Sequence, residues 1–281
     1  MIRKAGGKMK KLLSVFLILF FITGCNQEKQ FENAVIKTRV IEQQQSGIEK
    51  KHGEKIDSVI PKTNLSDGSS VVGKSNLIVI DAGHQRYGNN NQEPIGPGST
   101  KTKAKVTSGA TGVVTKRLES QINLEVALKL KEKLEDSGYQ VIMVRTSQDV
   151  DMSNSERARI ANENNADAFI RLHCNSDDSN NTKGVLTIAP SNTNRFCAQI
   201  SDASQLLSKC VLDNICNITG AKNRGVMIND TMSGINWCQV PVTIVEMGFI
   251  SNPEEDKLLS DSNYQNKIVT GIVKGINEFI N

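Results

Sequence analysis

The stretch Leu77-Ile78-Val79-Ile80-Asp81-Ala82-Gly83-His84 decides how the chain is read. Four consecutive aliphatic residues, then an acid, then a glycine, describe a strand covered on both faces that ends at a sharp turn. Outward from it, Glu119–Leu134 places Ile122, Val126, Leu130 and Leu134 on one helical stripe, and Ser137-Gly138 stops it. Tyr139–Val144 reads as the next strand. Ser153 followed by Glu156 is a capping box that opens another helix. Ala166–Leu172 and Gly184–Ile188 read as strands, Asn194–Ile218 as a long helix, and Val226–Ile228 and Val240–Val245 as short strands. Asn252-Pro253 starts a helix with proline at its first position. Asn263–Ile280 closes the chain, with Ile268, Ile272, Ile276 and Phe279 facing inward. Strands alternating with helices imply an α/β sandwich around a largely parallel sheet. Residues 82–118 are rich in Gly, Ser, Thr and Lys without periodicity, and a loop of that length inside a domain is expected to be functional.

Upstream of Leu77 the character changes. Residues 25–75 are polar, with Gln43-Gln44-Gln45, Lys50-Lys51 and Ser66-Asp67-Gly68-Ser69-Ser70, and read as a flexible tether. Residues 1–24 read as a signal peptide. Lys8, Lys10 and Lys11 precede an apolar run, Leu12–Ile22, too short to span a bilayer. Thr23-Gly24-Cys25 follows, which resembles a bacterial lipobox with Cys25 as the acylated residue. A diacylglyceryl anchor holds a protein stably on a membrane. The expected organisation is therefore a signal peptide over 1–24, a tether over 25–75 and a catalytic domain over 76–281, anchored on the outer side of the cell membrane through lipid on Cys25.

The whole chain, 281 residues with 38% hydrophobic and 23% charged, is of ordinary globular composition. The formal net charge is +4, but residues 1–24 alone carry +5 and no acid, leaving −1 for the rest. That remainder gives no support for a nucleic-acid partner. Beyond Cys25 the cysteines are Cys174, Cys197, Cys210, Cys216 and Cys238, with no spacing of a zinc cluster, and read as small buried hydrophobes.

Candidate chemistry gathers at strand ends. His84 follows the strand ending at Asp81, and His173 ends Ala166–Leu172; His52 lies in the tether. Open α/β sheets place their sites at the carboxyl edge. Two histidines there invite a metal, and His₂Glu is a known catalytic zinc set. Glu119, at the start of a helix, and Glu93, in the long loop, both could complete it; Glu125 lies too far along its helix to share that position. Glu246 ends an apolar strand, where a carboxylate needs a cation, a metal or a proton. Asp81 and Asn175 adjoin the histidines and are candidates to orient them. Cys174 neighbours His173 but points to the opposite face of a strand.

These pieces, with Glu119-Ser120-Gln121-Ile122-Asn123-Leu124, Arg157-Ala158-Arg159-Ile160-Ala161-Asn162, Ala168-Phe169-Ile170-Arg171-Leu172-His173-Cys174-Asn175 and Val245-Glu246-Met247-Gly248-Phe249-Ile250-Ser251-Asn252-Pro253-Glu254, resemble the zinc-dependent N-acetylmuramoyl-L-alanine amidases often called amidase-3. They occur in the family's order over residues 77–281. The resemblance implies a sheet of about six strands with helices on both faces, and zinc held by His84, Glu119 and His173. It implies Glu246 as the catalytic carboxylate and peptidoglycan as the substrate, cut between N-acetylmuramic acid and L-alanine. The chain departs from the pattern at Gln85, where glycine is usual, and at Arg171, where a small residue is common. The 34 residues between His84 and Glu119 are also longer than in many relatives. In some relatives an inserted element covers the site until a partner protein releases it. Two other readings share the residues: a zinc carboxypeptidase or endopeptidase of wall peptides, which would use an arginine such as Arg86, Arg145 or Arg171, and a silent wall-binding lipoprotein.

Overall fold

A computed structural model describes residues 76–281. The signal peptide, the tether and Cys25 lie outside the described residues. Strand β1 (Leu77–Ala82) sits inside a six-stranded sheet with β4 (Gln140–Met143), β5 (Ala168–Asn175), β6 (Val185–Ala189), β7 (Asn223–Ile228) and β8 (Val242–Phe249). The order is β4-β1-β5-β8-β6-β7. Every neighbouring pair is parallel except β6 with β8. This is the expected largely parallel sheet.

Helices cover both faces, because side chains along β1 alternate between two apolar layers. Ile78 and Ile80 join one core with Ile122, Leu130, Leu172 and Ile272, supplied in part by helices α1 (Glu119–Asp136), α3 (Ser201–Thr219) and α6 (Ser262–Ile280). Val79 joins the other with Ala158, Phe169, Ile235 and Ile244, below α2 (Asn154–Glu163) and α4 (Ser233–Asn236). Each such side chain contributes about 1.5–3 kcal/mol through removal from water. Both expected caps form. Ser153 Oγ accepts from the Glu156 N–H at 3.2 Å while Glu156 returns a carboxylate to the Ser153 N–H at 2.8 Å. Asn252 accepts from the Glu254 and Glu255 N–H groups at the start of α5 (Pro253–Leu259).

Four local expectations shift. Residues 82–118 are not all loop: β2 (Asn89–Pro94) and β3 (Thr102–Val106) form an antiparallel hairpin. Its strand Asn89-Asn90-Asn91-Gln92-Glu93-Pro94 is polar and mostly exposed, so it shows no apolar alternation. The helix expected from Asn194 begins only at Ser201, after a short 3₁₀ turn at Ala198–Ile200, because the Asn194 side chain accepts from the Phe196 and Cys197 N–H groups and holds a turn there. The four-residue α4 is too short to leave a helical stripe. The last strand runs through Glu246 to Phe249 rather than ending before it.

At the carboxyl edge, Arg157 of α2 is fully buried and binds the turn after β1. Its Nη1 donates to Asp81 Oδ1 at 2.6 Å, and its Nη2 donates to the His84 carbonyl at 3.1 Å and to Gln85 Oε1 at 2.9 Å. Burial alone would raise the Asp81 carboxyl, but the charges of Arg157 and then Arg171 hold it far below the usual carboxylate range. Arg157→Leu is expected to cost about 3–5 kcal/mol of stability in urea denaturation, since it strips a buried carboxylate of a partner. A loss below ~1 kcal/mol would show that the remaining Arg171 suffices, the size of an exposed pair.

Candidate active site

His84 sits at the end of β1 with φ of 60°, in the left-handed region. That turn is held from behind by Arg157 and brings the imidazole over the sheet edge. Its Nδ1 lies 2.9 Å from the Thr107 carbonyl. A carbonyl only accepts, so Nδ1 carries a proton there and Nε2 is the nitrogen that faces the cluster. His84 Nε2 lies 3.0 Å from Glu119 Oε1 and 3.1 Å from His173 Nδ1, and His173 Nδ1 lies 3.1 Å from Glu119 Oε1. Three donor atoms thus crowd one point. Donors about 2.0–2.1 Å from a tetrahedral zinc stand roughly 3.3 Å apart, so the spacing suits that ion. Among the described residues this is the one cluster of three or more His, Cys, Asp or Glu side chains able to share a metal.

The neighbours fix each donor. Glu119, 3% exposed, starts α1; its Oε2 accepts from the Ala110 N–H at 2.8 Å and its Oε1 from the Cys174 N–H at 3.1 Å. Burial would raise its carboxyl, but hydrogen bonds from His173 and His84 and their charges hold it well below the ordinary range. Burial lowers His173, whereas at His84 the bond and charge of Glu119 outweigh burial and raise it. Gly83 permits the packing: a Cβ there would collide with the His173 ring.

Glu246 is the register partner of His173 across β5 and β8. Its Oε2 is buried without a hydrogen-bond partner. Burial first, and the charge of Glu119 second, push its carboxyl up to about 8. His84, His173 and Glu246 open on one cleft of about 460 Å³, walled on the far side by the β2–β3 hairpin.

All four candidate site residues of the described part therefore meet. The rival Glu93 does not join them; it is buried on β2, where its Oε2 accepts from Ser155 Oγ at 2.7 Å. Glu125 pairs with Arg117. Asp81 orients neither histidine, because both its oxygens are taken by Arg157 and Arg171. Asn175 Oδ1 caps the Ser176 N–H. The Cys174 thiol points away from the cluster toward Asn123. The group that orients His84 is the Thr107 backbone carbonyl, which no side-chain pattern could have indicated. The cysteines of the described residues are free thiols, buried except for Cys216 at intermediate exposure.

Residues 78–278 match the family model Amidase_3, N-acetylmuramoyl-L-alanine amidase. The chain belongs to this family. The amidase is 28% identical over 183 residues to the germination-specific N-acetylmuramoyl-L-alanine amidase of Bacillus subtilis (strain 168), covering 60% of this chain and 72% of that one. It is 25% identical to the N-acetylmuramoyl-L-alanine amidase of Clostridium difficile 630, with a TM-score of 0.61 over 74% of this chain and 98% of that one. Its fold is also that of Ami1 from Mycobacterium smegmatis, at 22% identity and a TM-score of 0.66, covering 73% of this chain and 96% of that one. The amidase is a peptidoglycan hydrolase. Family membership selects this reaction over the carboxypeptidase and endopeptidase readings.

The raised Glu246 carboxyl has a consequence for the stability of the metal-free chain. Its folded pKa, about 8, exceeds the unfolded value, so the folded state binds the proton more tightly and loses stability as pH rises through that interval. From about pH 5.5 to 8.5 the chelator-treated chain is expected to lose more unfolding free energy than Glu246→Gln, read by urea denaturation at each pH. Parallel losses in the two proteins would show that this carboxyl is not proton-hungry in the fold.

Proposed function

We propose that the amidase reaction of this chain runs on zinc held by His84, Glu119 and His173, with Glu246 as the general base and acid. The observation that carries the reading is the convergence of three possible ligand atoms on one point. With Nδ1 of His84 committed to Thr107, its Nε2 faces a carboxylate oxygen and a second imidazole nitrogen at hydrogen-bond distance. With their protons displaced, these three atoms form a ligand set that a cation can occupy. Two histidines and one carboxylate leave a fourth position open to substrate. A zinc ion there supplies a Lewis acid for the amide carbonyl and lowers the pKa of water to about 7.

The chain's own residues do the rest. Glu246, across from His173, takes the proton of the attacking water and returns it to the alanine nitrogen as the C–N bond breaks. Its carboxyl begins high through burial and falls when a cation is held beside it, toward the range where one group both accepts and donates a proton near neutral pH. Thr107 and Glu119's backbone donors keep the site's geometry fixed through the cycle. The products are glycan and a stem peptide with a free alanine amine.

The setting follows from the N-terminal sequence. Cys25, after an 11-residue apolar run and Thr23-Gly24, supports a lipid anchor on the outer face of the membrane, and the polar segment over 25–75 supports a tether from which the catalytic domain reaches the wall. Among the described residues no helix is long and apolar enough to cross a membrane.

Incubation of the full chain with peptidoglycan, with products identified by mass spectrometry, tests the activity. Glu246→Ala is expected to keep about one zinc per chain by elemental analysis and to lose about 10²–10⁴-fold in rate. His84→Ala and His173→Ala should instead lose the zinc. Full activity in Glu246→Ala, or zinc retained in both histidine variants, would refute the assignment.

A further inference from the structure

The cleft has a second end. Arg171 and His173 lie two positions apart on β5, hence on one face, and both line the cleft. Arg171 is 3% exposed. Its Nε donates to Asp81 Oδ2 at 2.9 Å and its Nη2 to Asn154 Oδ1 at 2.8 Å. Among the described residues no acceptor is paired with Nη1. This group packs against Gly234, where a Cβ would collide with it, so the missing side chain of Gly234 is what admits the guanidinium to the cleft wall. Its Nη2 also lies 2.9 Å from Asp81 Oδ2. Arg145, Arg157 and Arg171 are all buried at this edge beside one buried aspartate, Asp81, and Arg145 donates only to backbone carbonyls.

A second cation comes from the hairpin. Lys103 on β3 lines the same cleft, is exposed, and forms no ion pair among the described residues. Glu93, opposite it in register, is turned instead to Ser155. The hairpin is a fixed wall: Trp237 Nε1 donates to the Pro94 carbonyl and Asn154 Nδ2 to the Lys105 carbonyl, both at 2.9 Å. Asn154 therefore ties the hairpin to Arg171 directly.

We propose that Arg171 and Lys103 form a carboxylate subsite that reads the stem peptide one residue beyond alanine. The assignment rests on the amidase reading. Two strand positions put Arg171 about 6.6 Å along β5 from His173. An extended peptide advances ~3.3–3.6 Å per residue, so the α-carboxylate of the residue after alanine lies about that far from the scissile carbonyl. A guanidinium presents N–H donors in the geometry a carboxylate accepts, and an ammonium adds charge without direction. In stem peptides this group is either a free carboxylate or its carboxamide. The subsite selects the free acid.

The test compares N-acetylmuramoyl-L-alanyl-γ-D-glutamyl-L-lysine with its analogue carrying the glutamyl α-carboxamide. The full chain is expected to show a KM about tenfold lower for the acid than for the amide, a charge-assisted bond against a neutral one. Lys103→Ala should shrink that ratio, Lys103→Arg should keep it, and Lys103→Glu should reverse it. Arg171→Lys, which keeps a cation opposite Asp81, should reduce the ratio too, and a partly unfolded variant would not change a ratio measured on the same sample. Binding of both peptides to Glu246→Gln by calorimetry gives the same comparison without turnover. Equal KM and equal Kd for acid and amide in the unmutated site would overturn the subsite while leaving the amidase reading intact. Selective binding without cleavage of either peptide would uphold the subsite and sink the amidase reading.

Discussion

Asp81 is the carboxylate on which the catalytic edge is assembled. It is fully buried at the end of β1 and shared between Arg157 of α2 and Arg171 of β5. A buried carboxylate without partners would cost several kcal/mol, so the two arginines and the aspartate form only together. Once in place, Arg157 has donors left for the His84 carbonyl and Gln85 Oε1. Those bonds hold a non-glycine residue in the left-handed region, a conformation that needs surrounding structure to persist. Gln85, where relatives usually have glycine, keeps the turn by a different means: its side-chain oxygen accepts from Arg157 and from the Met152 N–H.

From that turn the site builds itself by exclusion of alternatives. His84 reaches the cluster only because Thr107 takes its other nitrogen. Glu119 reaches it because backbone N–H groups from Ala110 and Cys174 fix both oxygens. His173 reaches it over a glycine that has no side chain to block the ring. Each restraint is local, and their joint effect is to hold two imidazole nitrogens and a carboxylate oxygen within 3.0–3.1 Å of one another.

The fold was legible where the sequence is repetitive in the right period. β1, β5 and α1 announce themselves through aliphatic runs and helical stripes, and both N-caps are written in Ser153–Glu156 and Asn252-Pro253. Three of the four site candidates, His84, His173 and Glu246, drew notice in the sequence because strand ends of a parallel sheet face one edge, whereas Glu119 opens a helix. What stayed hidden depends on contacts between distant segments. The β2–β3 hairpin is built of polar residues whose pairing leaves no pattern. Residue spacing alone left Glu93 and Glu119 both open, the family resemblance pointed to Glu119, and the structure places Glu119 beside the histidines and Glu93 on Ser155. Asp81, expected to steady a histidine directly, steadies one through arginine instead.

The two departures from the family pattern that bear on the cleft, Arg171 and the segment over 85–118, are joined through Asn154. Asn154 accepts from Arg171 and donates to the Lys105 carbonyl of the hairpin. An arginine at position 171 of a small-residue site would, on its own, bury a charge beside His173 and destabilise any cation there. Asp81 and Asn154 draw two of its nitrogens away from the cluster, and Asn154 in turn is oriented by the hairpin. The pair gives the cleft two chemically different ends, His84, His173 and Glu246 at one and the cations Arg171 and Lys103 at the other.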